Sequence, residues 1–288
     1  MHETASGTAS PACAHGSDDR VSSLPTFIII GAMKAGTTSL FRYLGTHPDV
    51  SASKKKETNF FLGRDEYERG LDWYREQFDA SKPARGEASP NYTKRHAWDG
   101  VAQRIATTVP DVRLLFVARD PIARIVSHYV HNLSHGRETR QFSRAITEDK
   151  RYVQTSCYAY QLEPFLEHFD RERIMFIDSD DLRDDTATTM KAAFDFIGVR
   201  ADHEIDGTDV QHHRSADKTR PSLLDRRVAD KRTRKRLRRY LPAFVTERRP
   251  IRWPEPTPAD VDLMTRELRD DVARFRALTG MAFAQWRL

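Results

Sequence analysis

Three short apolar runs stand out in an otherwise polar chain: Phe27-Ile28-Ile29-Ile30, Leu114-Leu115-Phe116-Val117 and Ile174-Met175-Phe176-Ile177. None alternates with polar residues, and each is rich in β-branched or aromatic side chains. That is the pattern of strands covered on both faces. Glycine or polar residues follow each run, and then a helical period begins. The first predicted helix is Thr38–Thr46. The second is Ile122–His135, entered through Asp120-Pro121, a capping residue and a first-turn proline. The third is Thr186–Ile197, stopped by Gly198. Strand, turn and helix in repetition predict an α/β fold, a central parallel sheet flanked by helices. A last helix is predicted from the cap Thr257, with an apolar stripe of Val261, Met264, Leu268, Val272, Phe275 and Leu278, ending at Gly280.

Residues 1–23 are small and polar and are predicted to form a disordered tail, leaving 24–288 as a single domain. Of the 288 residues, 39% are hydrophobic and 31% charged, enough for a real core and against a disordered chain or a collagen. The net charge of +5 is not spread evenly: Arg226–Arg239 holds nine basic residues and one acid, so the rest of the chain is slightly acidic. Charge alone does not choose between nucleic acid and a small anion as ligand. Two distant cysteines, Cys13 and Cys157, with no Cys-x-x-Cys, predict a reducing compartment, no disulfide framework and no structural metal. No apolar run approaches the roughly 20 residues of a membrane span. Residues 1–23 lack the charge and apolar core of a signal peptide, so the expected location is cytoplasmic.

The segment after the first strand carries the most chemistry. Gly31-Ala32-Met33-Lys34-Ala35-Gly36-Thr37-Thr38-Ser39 has the glycine spacing of a phosphate-binding loop between a strand and a helix. Backbone N–H groups in such a loop turn inward, and the helix start adds positive potential. A nucleotide-hydrolysing loop needs a lysine directly after the second glycine. Thr37 stands there instead, and Lys34 lies inside the loop. One internal lysine followed by three hydroxyls suits a shorter anionic tail than a nucleoside triphosphate. A second site is predicted where Arg119 ends the middle strand and Ser127 follows two helical turns later, the place where open α/β sheets bind ligands. Together they could grip a second phosphate. An arginine satisfied by Asp120 or a backbone carbonyl fits the sequence equally well.

These two segments resemble the PAPS-dependent sulfotransferases, where PAPS is 3′-phosphoadenosine-5′-phosphosulfate, and most of all the branch of heparan-sulfate and bacterial carbohydrate enzymes. Lys34 to Ser39 resembles the family's 5′-phosphosulfate loop, and Arg119 to Ser127 its 3′-phosphate motif. Lys56-Glu57-Thr58-Asn59-Phe60-Phe61 looks like the family's K-E-x-x-F-F segment, and Gly86-Glu87-Ala88-Ser89-Pro90-Asn91-Tyr92 also has a counterpart. The likeness runs over about residues 25–285. It implies a P-loop NTPase-like sulfotransferase fold and sulfuryl transfer from PAPS, leaving the bisphosphate PAP. It further implies that Lys34 meets the bridging oxygen, that Ala35, Gly36, Thr37, Thr38 and Ser39 cradle the 5′-phosphate, and that Arg119 and Ser127 hold the 3′-phosphate. Lys218 and Arg220, in Lys218-Thr219-Arg220-Pro221, look like the basic loop that closes over it. Glu57 matches the general base, as a positioned carboxylate can serve. Without the resemblance Glu57 reads as a surface carboxylate paired with Lys54, Lys55 or Lys56. One departure is that the family's heparan-sulfate enzymes carry a lysine at the position of Ala88, which leaves Lys34 as the main electrophilic lysine here.

The acceptor implied is a glycan or a hydroxylated small metabolite. Two rival readings remain at this stage. One is a kinase or NTPase using ATP and Mg²⁺, suggested by acids at strand ends such as Asp178. The other is a nucleic-acid-binding protein using a basic helix over 226–239, which lacks any accompanying recognition motif. His128, His131 and His135 share one helical face, which reads as packing near the acceptor cleft or as a polar helix face rather than as a metal site.

Overall fold

The computed structural model describes residues 23–205, 218–228, 230–237 and 239–288. The predicted tail falls outside these, apart from Ser23. The first strand, β1 (Phe27–Gly31), leads through the glycine loop into helix α1 (Thr37–Gly45). Strands β2 (Val50–Ala52) and β3 (Ala84–Ala88) follow, with helix α2 (Gly70–Arg75) between them. Strand β4 (Arg113–Ala118) leads into helix α3 (Pro121–Ser134), and β5 (Ile174–Asp178) precedes helix α4 (Thr186–Ile197). The five strands form one sheet in the order β2-β3-β1-β4-β5, every neighbouring pair parallel. From β1 the chain passes to the edge strand β2, returns to β3 beside β1, and then crosses to β4 and β5 on the other side. Ligands bind beyond the carboxyl ends of strands at such a reversal.

The three apolar runs are β1, β4 and β5, and the predicted helices match within a residue at their starts. Asp120 caps α3 by accepting from Ala123 N at 2.8 Å, with Pro121 in the first turn. Gly198 ends α4 in the left-handed conformation, φ 81°. The last helix runs Pro258–Thr279, opened by a reciprocal Thr257–Asp260 capping box and stopped by Gly280.

The basic stretch differs from expectation. It is two short helices, Leu223–Arg227 and Lys231–Leu237, rather than one. Asp230 explains the break: its carboxylate accepts from Thr233 N at 2.6 Å and starts a new helix. Leu224 is buried, while Arg227, Arg232, Lys235, Arg236 and Arg239 face solvent.

Strands β2 and β3 carry no apolar run and were not predicted. In β3 both charged residues are satisfied internally. Arg85 donates to the carbonyl of Leu24 at 3.0 Å and to that of Lys82. Glu87 is fully buried and accepts four hydrogen bonds: from Thr58 N at 3.3 Å, Tyr74 OH at 2.8 Å, Tyr92 OH at 2.7 Å and the Ser89 hydroxyl. Burial nonetheless raises its carboxyl above the ordinary value. Burial, and then the Glu87 charge, push the Tyr74 and Tyr92 phenols well above theirs. Phe60 stacks on Tyr74 at 4.3 Å between centroids and closes this cluster. Between the two charges Gly86 passes under Phe27, where an added Cβ would lie 2.3 Å from the ring.

Glu87→Gln keeps the shape but turns an acceptor into a donor facing donors. It should lower stability by about 1–3 kcal/mol, read as a shifted urea midpoint. An unchanged midpoint would contradict the role given to this carboxylate.

Candidate active site

The loops that follow all five strands meet at one edge of the sheet and enclose a cavity of about 590 Å³. The loop after β1 supplies Met33 to Ser39, and the loop after β2 supplies Glu57. The turn after β3 supplies Pro90, Asn91 and Lys94, the end of β4 Arg119, and the end of β5 Ser179. Helix α3 adds Ser127 and His131, and Arg137 lies just past its end.

The glycine loop is shaped for an anion. Lys34 has φ 70° and Gly36 φ 115°, a left-handed stretch that only glycine adopts freely at the second position. Gly36 then stands at the cap position of α1, where no side chain caps the helix and no acid occupies the first turn. The positive end of the helix therefore opens on the cavity with the hydroxyls of Thr37, Thr38 and Ser39 around it.

The electrostatics are one-sided. Among the described residues Lys34, Lys94, Arg119, Arg137 and Arg183 line the cavity against one carboxylate, Glu57. Arg183 is held by Asp180 and Asp184. Burial, and then the charge of Lys218, lower the Lys34 amine to about 8. Among the described residues the buried Lys218 amine has no hydrogen-bond acceptor; it lies close to Lys34 and 5.9 Å from the Trp253 ring centroid. An orphaned buried ammonium beside a second one fits a site that receives a multiply charged anion. His131 is pushed down to about 3, by burial and then by Lys34, and so is neutral.

The residues predicted from the sequence are largely brought together. Lys34, Ala35, Gly36, Thr37, Thr38, Ser39, Glu57, Arg119 and Ser127 all line this cavity. Arg119 is not satisfied by Asp120, whose oxygens accept from Ala123 N at 2.8 Å and Arg287 N at 2.9 Å. Instead Arg119 donates to the Lys34 carbonyl at 3.3 Å and ties the loop to β4. Glu57 does pair with Lys56 at 3.1 Å, yet its side chain stays 45% exposed in the cavity. Lys218 sits behind Lys34, whose charge it perturbs. Arg220 is exposed, acts electrostatically on Tyr129 and is not part of the lining.

The placement of Glu57 follows from the Glu87 cluster. Thr58 N donates to Glu87, Asn59 N to the Ser89 hydroxyl at 2.9 Å, and Ala88 N to the Lys56 carbonyl at 3.0 Å. The backbone on both sides of Glu57 is thereby stapled to β3. Sequence reasoning expected the acceptor pocket to be lined near Lys54–Arg64, Tyr92–Trp98 and Tyr129–Thr139, segments that contain Lys94, His131 and Arg137, but it gave none of these three, nor Asn91, a role of its own. For Lys94 and Asn91 the missing signal was β3 itself, since a position just past a strand end could not be read without the strand.

The family model described as "Sulfotransferase domain" matches residues 24–239. The chain is 31% identical over 195 residues to heparan sulfate glucosamine 3-O-sulfotransferase 3A1 of Mus musculus, a match covering 64% of this chain and 48% of that protein. It is 32% identical over 198 residues to the bifunctional heparan sulfate N-deacetylase/N-sulfotransferase 3 of Homo sapiens, covering 61% of this chain and 22% of that one. The chain thus spans half or less of the length of these curated relatives. A crystal structure of a sulfotransferase from Alicyclobacillus acidocaldarius matches with a TM-score of 0.68 and 26% identity, covering 92% of this chain and 99% of that one. With the family model spanning most of the chain and the cavity built on its loops, the chain belongs to the sulfotransferase family.

Proposed function

We propose that this protein transfers a sulfuryl group from PAPS to a hydroxyl of a glycan or a hydroxylated small metabolite. The observation that carries the reading is the cavity in which the Lys34–Ser39 loop, Arg119 and Ser127 face a single carboxylate, Glu57. Relatives named for heparan sulfate favour the glycan. A kinase reading finds no support: Thr37 occupies the position of the phosphate lysine, and Asp178 caps the helix after β5 by accepting from Asp180 N at 3.0 Å.

PAPS supplies the activated sulfuryl group. Glu57 takes the proton of the attacking hydroxyl, its carboxylate held in place by the stapled backbone around it. Lys34 and the N–H groups of the loop meet the negative charge that grows on the departing phosphate oxygen. Arg119 and Ser127 hold the 3′-phosphate, with Lys218 adding positive charge beneath Lys34. The rest is positioning of two bound substrates, which by itself removes several kcal/mol of barrier.

Thermal shift tests the reading. PAP should stabilise the protein, whereas ATP with Mg²⁺ and a short oligonucleotide should not. A shift with ATP–Mg²⁺ alone would overturn it. Glu57→Gln should nearly abolish turnover while PAP binding persists in calorimetry, and near wild-type turnover would remove Glu57 from the mechanism. Lys34→Ala should lose turnover with at most a modest loss of PAP affinity. Lys34 is charged below about 8 and neutral above it, so kcat/KM of the wild-type protein should fall as pH rises through that value. A flat alkaline limb would argue against a charged Lys34 at the leaving oxygen.

A further inference from the structure

We propose that Lys94 is the second cation of the reacting centre, meeting the sulfuryl oxygens between Lys34 and Glu57. The inference rests on the sulfuryl-transfer reading and adds a residue to it. Sheet order makes the first argument. Strand β3 lies between β1 and β2, so the turn carrying Lys94 emerges between the loop with Lys34 and the loop with Glu57. All three side chains line the same cavity. Ala88, on β3 itself, is fully buried and offers it no charge.

The base of Lys94 is anchored. Tyr92 N donates to the Ser89 carbonyl at 3.0 Å and Lys94 N to the Asn91 carbonyl at 3.1 Å. Thr93 donates its hydroxyl proton to the Ile30 carbonyl of β1 at 3.1 Å, and the Tyr92 hydroxyl ends on Glu87. The carbonyl of Lys94 accepts from Ala97 N and Trp98 N at 2.8 and 3.0 Å. The ammonium, by contrast, makes no ion pair or hydrogen bond with any described residue.

What surrounds the ammonium explains why it faces the cavity. The charge of Arg124, buried and with no carboxylate partner among the described residues, acts on it. Arg124 donates to the Ser156 hydroxyl and to the Tyr152 carbonyl, and its remaining terminal nitrogen is unpartnered. Burial, and then the Arg124 charge, lower the Lys94 amine to about 8, while Glu57 acts in the opposite direction. A structural lysine is expected to close on an acid or a carbonyl. This one is partly desolvated, repelled by Arg124 and attracted by Glu57. Such a cation gains most when an anion arrives in front of it.

Calorimetry with PAP and with PAPS on the wild type, Lys94→Met and Lys94→Arg tests this without an acceptor. Lys94→Met should weaken PAPS binding at least about tenfold while changing PAP affinity less than about threefold, because only PAPS carries the group that Lys94 meets. Lys94→Arg should recover most of the PAPS affinity. PAP binding doubles as the control for folding, and Lys94→Gln replaces Lys94→Met if the latter binds neither ligand. Equal changes in the two affinities, or no change in either, overturn the proposal. Failure of the wild-type protein to bind PAP strikes the sulfuryl-transfer reading instead.

Discussion

The buried carboxylate of Glu87 is the constraint on which the active-site edge depends. It receives donors from the loop after β2, from α2 and from the turn after β3. These segments also carry the buried rings of Phe60, Phe61, Tyr74 and Tyr92, but apolar packing is non-directional, and the common acceptor fixes how they converge. A buried carboxylate surrounded by donors is tolerated only when all of them are in place. The cluster therefore specifies one arrangement of the loops, and that arrangement carries Glu57 into the cavity. The two tyrosines contribute rings as well as hydroxyls, so apolar packing of Phe60 and Phe61 follows the same geometry.

The opposite side of the cavity is governed by charge left without compensation. Lys34, Lys94, Arg119 and the nearby Lys218 are crowded together, and burial lowers the pKa of each. Like charges held at close quarters destabilise the empty protein, and a multiply charged anion relieves that repulsion. The strain is tolerable because the cations sit at the ends of strands whose own packing is apolar. Function and stability are thus placed on adjacent but separate layers, with the apolar strands below and the charged loops above.

Much of this was legible from the order of residues. Strands β1, β4 and β5 announce themselves because both faces are apolar, and the helices because Asp120, Thr257, Gly198 and Gly280 mark their ends. The loop from Lys34 to Ser39, Arg119 and Ser127 followed from those strands. Strand β3 was hidden because its inward charges, Arg85 and Glu87, find partners more than ten residues away in sequence. Lys94 was placed only within the segment Tyr92–Trp98, with no role of its own. The basic stretch over 226–239 misled in the other direction: its composition reads as one helix, but Asp230 supplies a cap that splits it. Local propensity spoke clearly wherever the partner of a side chain lay nearby and failed where the partner lay across the fold.

The cap of helix α3 has a consequence for how the protein is made. Asp120 accepts from Ala123 at the helix start and also from Arg287, a partner 167 residues later. The helix that carries Ser127 is therefore fully fastened only when Arg287 has emerged and docked. Contacts of such separation form late. During synthesis the loop of Lys34 can take shape early around β1, while the Arg119–Ser127 half of the cavity waits for Arg287, 167 residues beyond Asp120. A nascent chain then passes through a stage at which one half of the pocket exists without the other.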